Sequence, residues 1–272
     1  MEESPRDLVR NRVKEKLAGN ELVLSMAVRL VRSIEIVSIA QSAGFDSFYV
    51  DLEHSSFSLE ATSQLCIAGL SLGVTPFVRV PSISPDCIAG VLDGGALGVI
   101  APHVQGADEA ARVVRAAKYP PSGSRSFTGA LPHVRFRSFP AIEVSAAIDA
   151  ATMVIIMIES AAALEAAEAI AAVEGVDMLF IGTNDLCAEL GIPGQLDHPT
   201  IRQAYATCMR ACASNGKHLG IGGLNANPAL AADFVKLGAR YVSTGTDLSF
   251  LAAGAAAKTR QMRERFSPPS FN

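Results

Sequence analysis

The stretch GVDMLFIGTND, residues 175–185, decides the fold. A glycine comes first, then a nearly unbroken apolar run, then polar residues opening a new segment. Glycine just past a helix supplies a left-handed cap that other side chains resist. A continuous apolar run of this length suits a parallel strand buried on both faces. The same punctuation recurs outward from here: Gly44 precedes FDSFYVDLE, Gly73 precedes VTPFVRV and Gly95 precedes ALGVIAP. Gly216 likewise precedes KHLGIGG, and Gly238 precedes ARYVSTG. With ELVLSMAV at 21–28 and TMVIIMIE at 152–159, the strand count reaches eight. Eight strand–helix units in about 250 residues predict a (β/α)8 TIM barrel, with an extra amino-terminal helix at residues 5–17. A doubly wound open sheet is the alternative. No composition shift or linker divides the chain, so 1–272 is read as one barrel domain.

Composition narrows the function. The chain has 272 residues, 49% of them hydrophobic, and a net charge of −4, enough for one substantial core. Its basic residues are scattered, which argues against a nucleic-acid face or a polybasic membrane patch. The longest strongly apolar run, AATMVIIMI at 150–158, is too short to span a bilayer. The charged amino terminus lacks a signal-peptide core. The five cysteines form no C-x-x-C pair and read as reduced thiols in a cytoplasmic protein. One irregular segment, 119–140, is rich in Pro, Gly, Ser and Arg and falls between the fourth and fifth strands. Long loops in compact folds are usually functional, and in a barrel the loops after strands gather at the catalytic face.

The predicted strand ends collect the ionisable residues: Arg29 after the first, Asp51, Glu53 and His54 after the second, Arg79 in the third, His103 after the fourth. Glu159 ends the fifth, and Asp185 follows the sixth. Parallel neighbours lie about 4.8 Å apart, so Glu159 and Asp185 at matching heights could share one cation. Two oxygen ligands, completed by water and substrate, suit Mg²⁺ or Mn²⁺; singly, each acid is equally an ordinary solvated loop residue. Asp51 and His54 could form a dyad in which the carboxylate orients the imidazole for proton transfer. An Asp helix cap beside a surface histidine is the plain alternative. Glu53 is read as pointing away from the mouth. Arg79 sits in a buried strand and needs an anion, either a barrel carboxylate or an acidic substrate. No lysine ends a strand, so a Schiff-base mechanism lacks its amine.

The segments FDSFYVDLEHSSFS, TPFVRVPS, VQGADEAARVVRAAKYPPSGSRS, IMIES, VDMLFIGTNDLCAELG and GARYVSTGTDLSFLA resemble the HpcH/HpaI aldolases over roughly residues 20–255. These are metal-dependent class II aldolases that use pyruvate, such as 4-hydroxy-2-oxo-heptanedioate and 2-dehydro-3-deoxy-glucarate aldolases. The resemblance implies a barrel that assembles as a homo-oligomer, a hexamer of dimers exchanging the last helix. It implies a lyase cleaving a 4-hydroxy-2-oxo acid to a 2-oxo acid and an aldehyde, using Mg²⁺, Mn²⁺ or Co²⁺. Glu159 and Asp185 match the metal ligands, and Arg79 the arginine facing the oxo group and developing enolate. Asp51 and His54 match the pair assisting proton transfer. Asp93 matches an acid reaching a neighbour's active site, and the amides around Asn184 and Asp185 the holder of the substrate carboxylate.

Departures from the family pattern mark specificity. Met157 stands where a glutamine is usual, two residues before the metal glutamate. GTND replaces the usual G-P-A/S-D. Gly222 and Gly223 stand where relatives often carry a bulky aliphatic, so Met157 and Gly222 join Asn184 as candidate substrate-binding positions. A barrel lyase on a citrate-like or acyl-CoA substrate, a phosphate-binding barrel using GIGG and STGTD, and a catalytically silent member are the other readings.

Overall fold

The computed structural model describes residues 3–266. Eight parallel strands pair in sequence order, and the last returns to the first: β1 (Val23–Val28), β2 (Ser47–Asp51), β3 (Thr75–Arg79), β4 (Gly98–Ala101), β5 (Met153–Ile158), β6 (Met178–Gly182), β7 (His218–Gly222) and β8 (Tyr241–Thr246). The predicted barrel is therefore closed. Side chains alternate between its two faces with the strand period of two. In β5, Met153, Ile155 and Met157 join the inner core, whereas Val154, Ile156 and Ile158 pack outward against the helices. The interior is a packed layer of large rings: Phe180 meets Tyr241 edge-on at 5.8 Å and Tyr49 at 6.4 Å. Tyr241 finds the polar partner a buried phenol requires, donating to Ser25 at 2.7 Å.

Glycine caps work as the sequence suggests. Gly73, at φ +72°, ends the helix Leu59–Leu72, and a Cβ there would lie 2.5 Å from the Arg12 guanidinium. Register then decides which strand ends meet. Asp51 pairs with Arg79, Met157 with Phe180, and Gly182 with Gly222.

Two expectations change. The amino-terminal helix is two helices, Pro5–Leu8 and Arg12–Ala18. Asn11 breaks them, because its side chain accepts from the Lys14 amide while its Nδ2 donates 2.7 Å to Ala151 O, plugging the barrel floor. The 119–140 segment is not at the catalytic face. It follows a helix rather than a strand, so it lies at the strand-start end, where His133 bonds Ala96 O at 3.0 Å and Arg137 bonds Glu3 at 2.8 Å.

Candidate active site

The carboxyl ends of the strands enclose a cavity of about 320 Å³, lined among others by Asp51, His54, Arg79, Met157, Asn184, Asp185 and Gly222. Glu159 borders it through Gly182, where an added Cβ would lie 3.2 Å from Glu159 Oε2. The period of two puts these groups there: Asp51 continues the inward row from Tyr49, Arg79 from Phe77, and Glu159 from Met157.

Arg79 is a fixed fork with one N–H of each terminal nitrogen left over. Nε and Nη2 donate to the two Asp51 oxygens at 2.9 and 2.6 Å, and Nη1 stands 2.9 Å from Glu53 Oε2. That Glu53 oxygen is buried and accepts no well-aligned hydrogen bond, so its contact with Arg79 is ionic. Of the two anions foreseen for Arg79, the barrel carboxylate is present. Asp51 is wholly buried. Burial alone would raise its carboxyl, but the bonds and charge of Arg79, aided by the His54 amide and Arg29, outweigh this and hold it below the usual range.

The expected dyad takes another form. Asp51 bonds the backbone amide of His54 at 3.1 Å, not its ring, and the imidazole Nε2 lies 3.8 Å from Glu53 Oε2 instead. Glu53 thus points into the mouth, contrary to the expectation. Positions 51 and 53 are two apart and share a face. Glu53 also lies 2.7 Å from His103 Nε2.

In the sequence His103 reads only as a strand-end residue. Its left-handed backbone, φ +58°, turns both its amide and its ring onto Glu159 Oε1, at 2.6 and 3.1 Å. A chain of close polar contacts therefore runs Asp51–Arg79–Glu53–His103–Glu159 across four strands. Burial raises the Glu159 carboxyl; His103 opposes this, and the nearby Glu53 and Asp185 carboxylates add to it. A buried acid flanked by acids fits a cation. Among the described residues no cluster of three or more His, Cys, Asp or Glu ligands exists. The fit is thus an all-oxygen pair, Glu159 and Asp185, which suits a hard divalent ion that keeps water and substrate oxygens.

Asn184 and Asp185 stand in the first turn of the helix Thr183–Glu189. Thr183 anchors that turn, donating to Gly222 O at 2.6 Å and meeting Tyr205 OH at 2.8 Å. Gly222 and Gly223 line the cavity, but their own positions are closely flanked. A Cβ at Gly222 would lie 2.9 Å from the Phe180 ring, and one at Gly223 2.9 Å from Asn184 Nδ2. Met157 is buried, and its methyl stands 3.0 Å from a Cβ placed on Gly182.

Asp93 takes no part in this chain's cavity. It ends the helix Pro85–Asp93 and pairs with Arg125 at 2.6 Å. Among the described residues, no lysine lines the cavity. Lys118, whose amine burial brings down to about 8, is spent on the carbonyls of Asp149 and Thr152, both at 2.6 Å. Asp247, in the STGTD segment, was also missed as a site residue. Its carboxylate accepts the amides of Arg29, Leu30 and Val31 at 2.7–3.0 Å, fixing the loop after β1.

A closed (β/α)8 barrel with an arginine-locked carboxylate and two metal-fitting acids at its mouth defines an enzyme class, the barrel lyases and aldolases. The sequence pattern of the HpcH/HpaI aldolase/citrate lyase family matches residues 30–253, and the chain belongs to this family. It is 40% identical over 248 residues to a 4-hydroxy-4-methyl-2-oxoglutarate aldolase, tasA, of Hapsidospora irregularis, covering 90% of this chain and 92% of that protein. It is 38% identical to a 4-hydroxy-2-oxovalerate aldolase of Rhodococcus jostii, covering 86% and 88%. The crystal structure of an HpcH/HpaI aldolase from Desulfitobacterium hafniense superposes with a TM-score of 0.86 at 31% identity, covering 95% of this chain and 98% of that one.

Proposed function

We propose that the protein is a class II aldolase, reversibly cleaving a 4-hydroxy-2-oxo acid to pyruvate or a close 2-oxo acid and a second carbonyl compound. The observation that carries this reading is the meeting of Asp185 and Arg79 in one cavity, with Glu159 beside it behind Gly182 and no lysine among its described lining residues. Glu159 and Asp185 would hold a divalent ion, Mg²⁺, Mn²⁺ or Co²⁺, which supplies Lewis-acid polarisation of the 2-oxo group. Arg79, fixed by Asp51, keeps N–H groups and positive charge where negative charge develops on the oxo oxygen. Being preorganised by a buried carboxylate, it needs no rearrangement during the reaction. His54, half-exposed at the rim beside Glu53, moves the proton between substrate and solvent. The amides of Asn184 and Asp185 would hold the 2-oxo acid's carboxylate. Asp93 would contribute only across an interface between copies. Leu248, Phe250 and Leu251 are exposed on the last helix and support assembly into a homo-oligomer. The five free thiols support a cytoplasmic setting, and the whole chain is read as one barrel unit.

Cleavage of a 4-hydroxy-2-oxo acid should stop on chelation and return with added Mg²⁺, Mn²⁺ or Co²⁺. Borohydride with pyruvate should leave activity intact, because no amine is placed to form an imine. Pyruvate-dependent, irreversible borohydride inactivation would overturn the reading.

A further inference from the structure

The His54 ring is not held by its own side-chain contacts. It is half-exposed, makes no hydrogen bond among the described residues, and has one ionic contact, Glu53 Oε2 at 3.8 Å. Its place is therefore inherited from its backbone, which belongs to no strand or helix. Side chains hold that backbone instead. The His54 amide donates to Asp51 Oδ1 at 3.1 Å, and its carbonyl accepts Nη2 and Nε of Arg29 at 2.7 and 3.3 Å. Arg29 Nε also stands 3.3 Å from Asp51 Oδ2, so one guanidinium reaches both ends of the 51–54 turn. Arg32 repeats the grip two residues on, its Nη2 donating to Ser56 O and Oγ at 3.2 and 2.7 Å.

Arg29 is fixed in turn from the far end of the chain. The end of β1 lies beside the end of β8, where Ala27 pairs with Thr246. Asp247, buried at the start of the last helix (Asp247–Phe266), takes the successive amides of Arg29, Leu30 and Val31 at 2.9, 3.0 and 2.7 Å. A reciprocal pair of bonds secures the backbone on which Asp247 stands. The Thr246 amide donates to Ser249 Oγ at 2.9 Å, and the Ser249 amide to Thr246 Oγ1 at 3.0 Å. A carboxylate suits the place because both its oxygens only accept, whereas an amide would turn an NH₂ against a backbone N–H. The path from the last helix to His54 thus runs through one carboxylate, one short loop and one guanidinium.

We infer that Asp247 and Arg29 are positioning residues that brace His54 for proton transfer. Asp247 fixes the loop that carries Arg29, and Arg29 fixes the carbonyl of His54 and with it the direction of the imidazole. The role given to His54 rests on the aldolase reading above; the brace itself does not. A misplacement of about 1 Å can cost about 10²-fold in rate. A general acid or base contributes about 10²–10⁴-fold in all, so loss of the brace costs less than loss of the imidazole.

The test has two readouts on the full chain. The first is exchange of pyruvate methyl protons in deuterium oxide with Mg²⁺ present. Asp247→Asn and Arg29→Met should each slow it by about 10–10²-fold at saturating pyruvate, with the KM for pyruvate unchanged. Adding Asp247→Asn to Arg29→Met, or Arg29→Met to His54→Ala, should change the rate by less than about twofold, because all three act along one path. Native rates in both single variants, a loss confined to KM, or an undiminished Arg29→Met effect in the His54→Ala background would each overturn the brace. The second readout is independent of activity: hydrogen-exchange mass spectrometry should find the 52–57 amides less protected in folded Asp247→Asn and in Arg29→Met than in the native protein. Native protection of 52–57 in Arg29→Met overturns the brace even if Asp247→Asn does not fold. No pyruvate exchange by the wild-type protein would overturn the aldolase reading, while protection of 52–57 still decides the brace.

Discussion

Arg79→Lys isolates what the guanidinium fork does, because the charge is kept while the geometry is lost. In the native protein two N–H groups reach a wholly buried carboxylate at 2.9 and 2.6 Å, and a third nitrogen holds Glu53 at 2.9 Å. An ammonium on a flexible stem cannot satisfy all three at once. Losing one charge-assisted hydrogen bond costs about 1.5–3 kcal/mol. The retained charge avoids the larger cost, about 3–5 kcal/mol, of leaving a buried ion without any partner. A loss of about 2–3 kcal/mol in unfolding free energy is expected, read by urea denaturation near neutral pH. Turnover should fall by about 10²–10³, the usual effect of displacing one donor that stabilises developing charge. The pH dependence has a definite sign. Asp51 is held below the ordinary carboxylate range, so its contribution is present above the unfolded value, about 3.9, and is lost as pH falls through the lower folded value. A weaker partner raises that folded value toward the unfolded one, so the variant should show a shallower acid-side loss of stability than the native protein, over a window that closes at higher pH. Near-native turnover with an unchanged denaturation midpoint would refute the reasoning and leave Arg79 as a charge balance inside the barrel.

Glu159→Ala and Asp185→Ala should each abolish tight metal binding with little loss of fold, since both acids stand at the mouth; calorimetric titration showing native Mn²⁺ affinity in both would remove them from the site. Burial takes His133 down to about 4, against about 6.5 in an unfolded chain. The unfolded chain takes up that proton first, so stability should fall between about pH 6.5 and 4 by on the order of 3 kcal/mol. His133→Gln should flatten this acid-side slope in urea midpoints, and an unchanged slope would assign it to another group. Met157→Gln should lower the KM for pyruvate in the condensation direction and narrow the range of 2-oxo acids accepted, because a thioether offers only weak acceptance where an amide would donate. Identical relative efficiencies for pyruvate, 2-oxobutyrate and hydroxypyruvate would leave Met157 as packing.

The barrel was legible because each unit carries its own signal, a glycine cap followed by a buried apolar run, as in Gly175 and the strand Met178–Gly182. The strand-end acids were legible for the same reason: Glu159 terminates a strand with no other polar residue. What the sequence hid is pairing across strands. His103 meets Glu159 only because its backbone is left-handed, and no local pattern announces that at a histidine. Asp51 was assigned to the nearby imidazole, yet the Asp51–Arg79 register gave it a partner 28 positions away. Asp247 serves amides more than 210 positions distant. The 119–140 segment misled for a different reason. Its composition resembles an active-site loop, but its place after a helix puts it on the barrel floor.

The most direct test needs no knowledge of the second carbonyl substrate. Pyruvate incubated in deuterium oxide with the chelator-treated protein should keep its methyl protons, as followed by proton NMR. Restoring Mg²⁺, Mn²⁺ or Co²⁺ should start exchange of those protons for deuterium, and Arg79→Lys should slow it by about 10²–10³. Exchange that proceeds equally without a divalent ion, or no exchange with any of the three, would contradict the account.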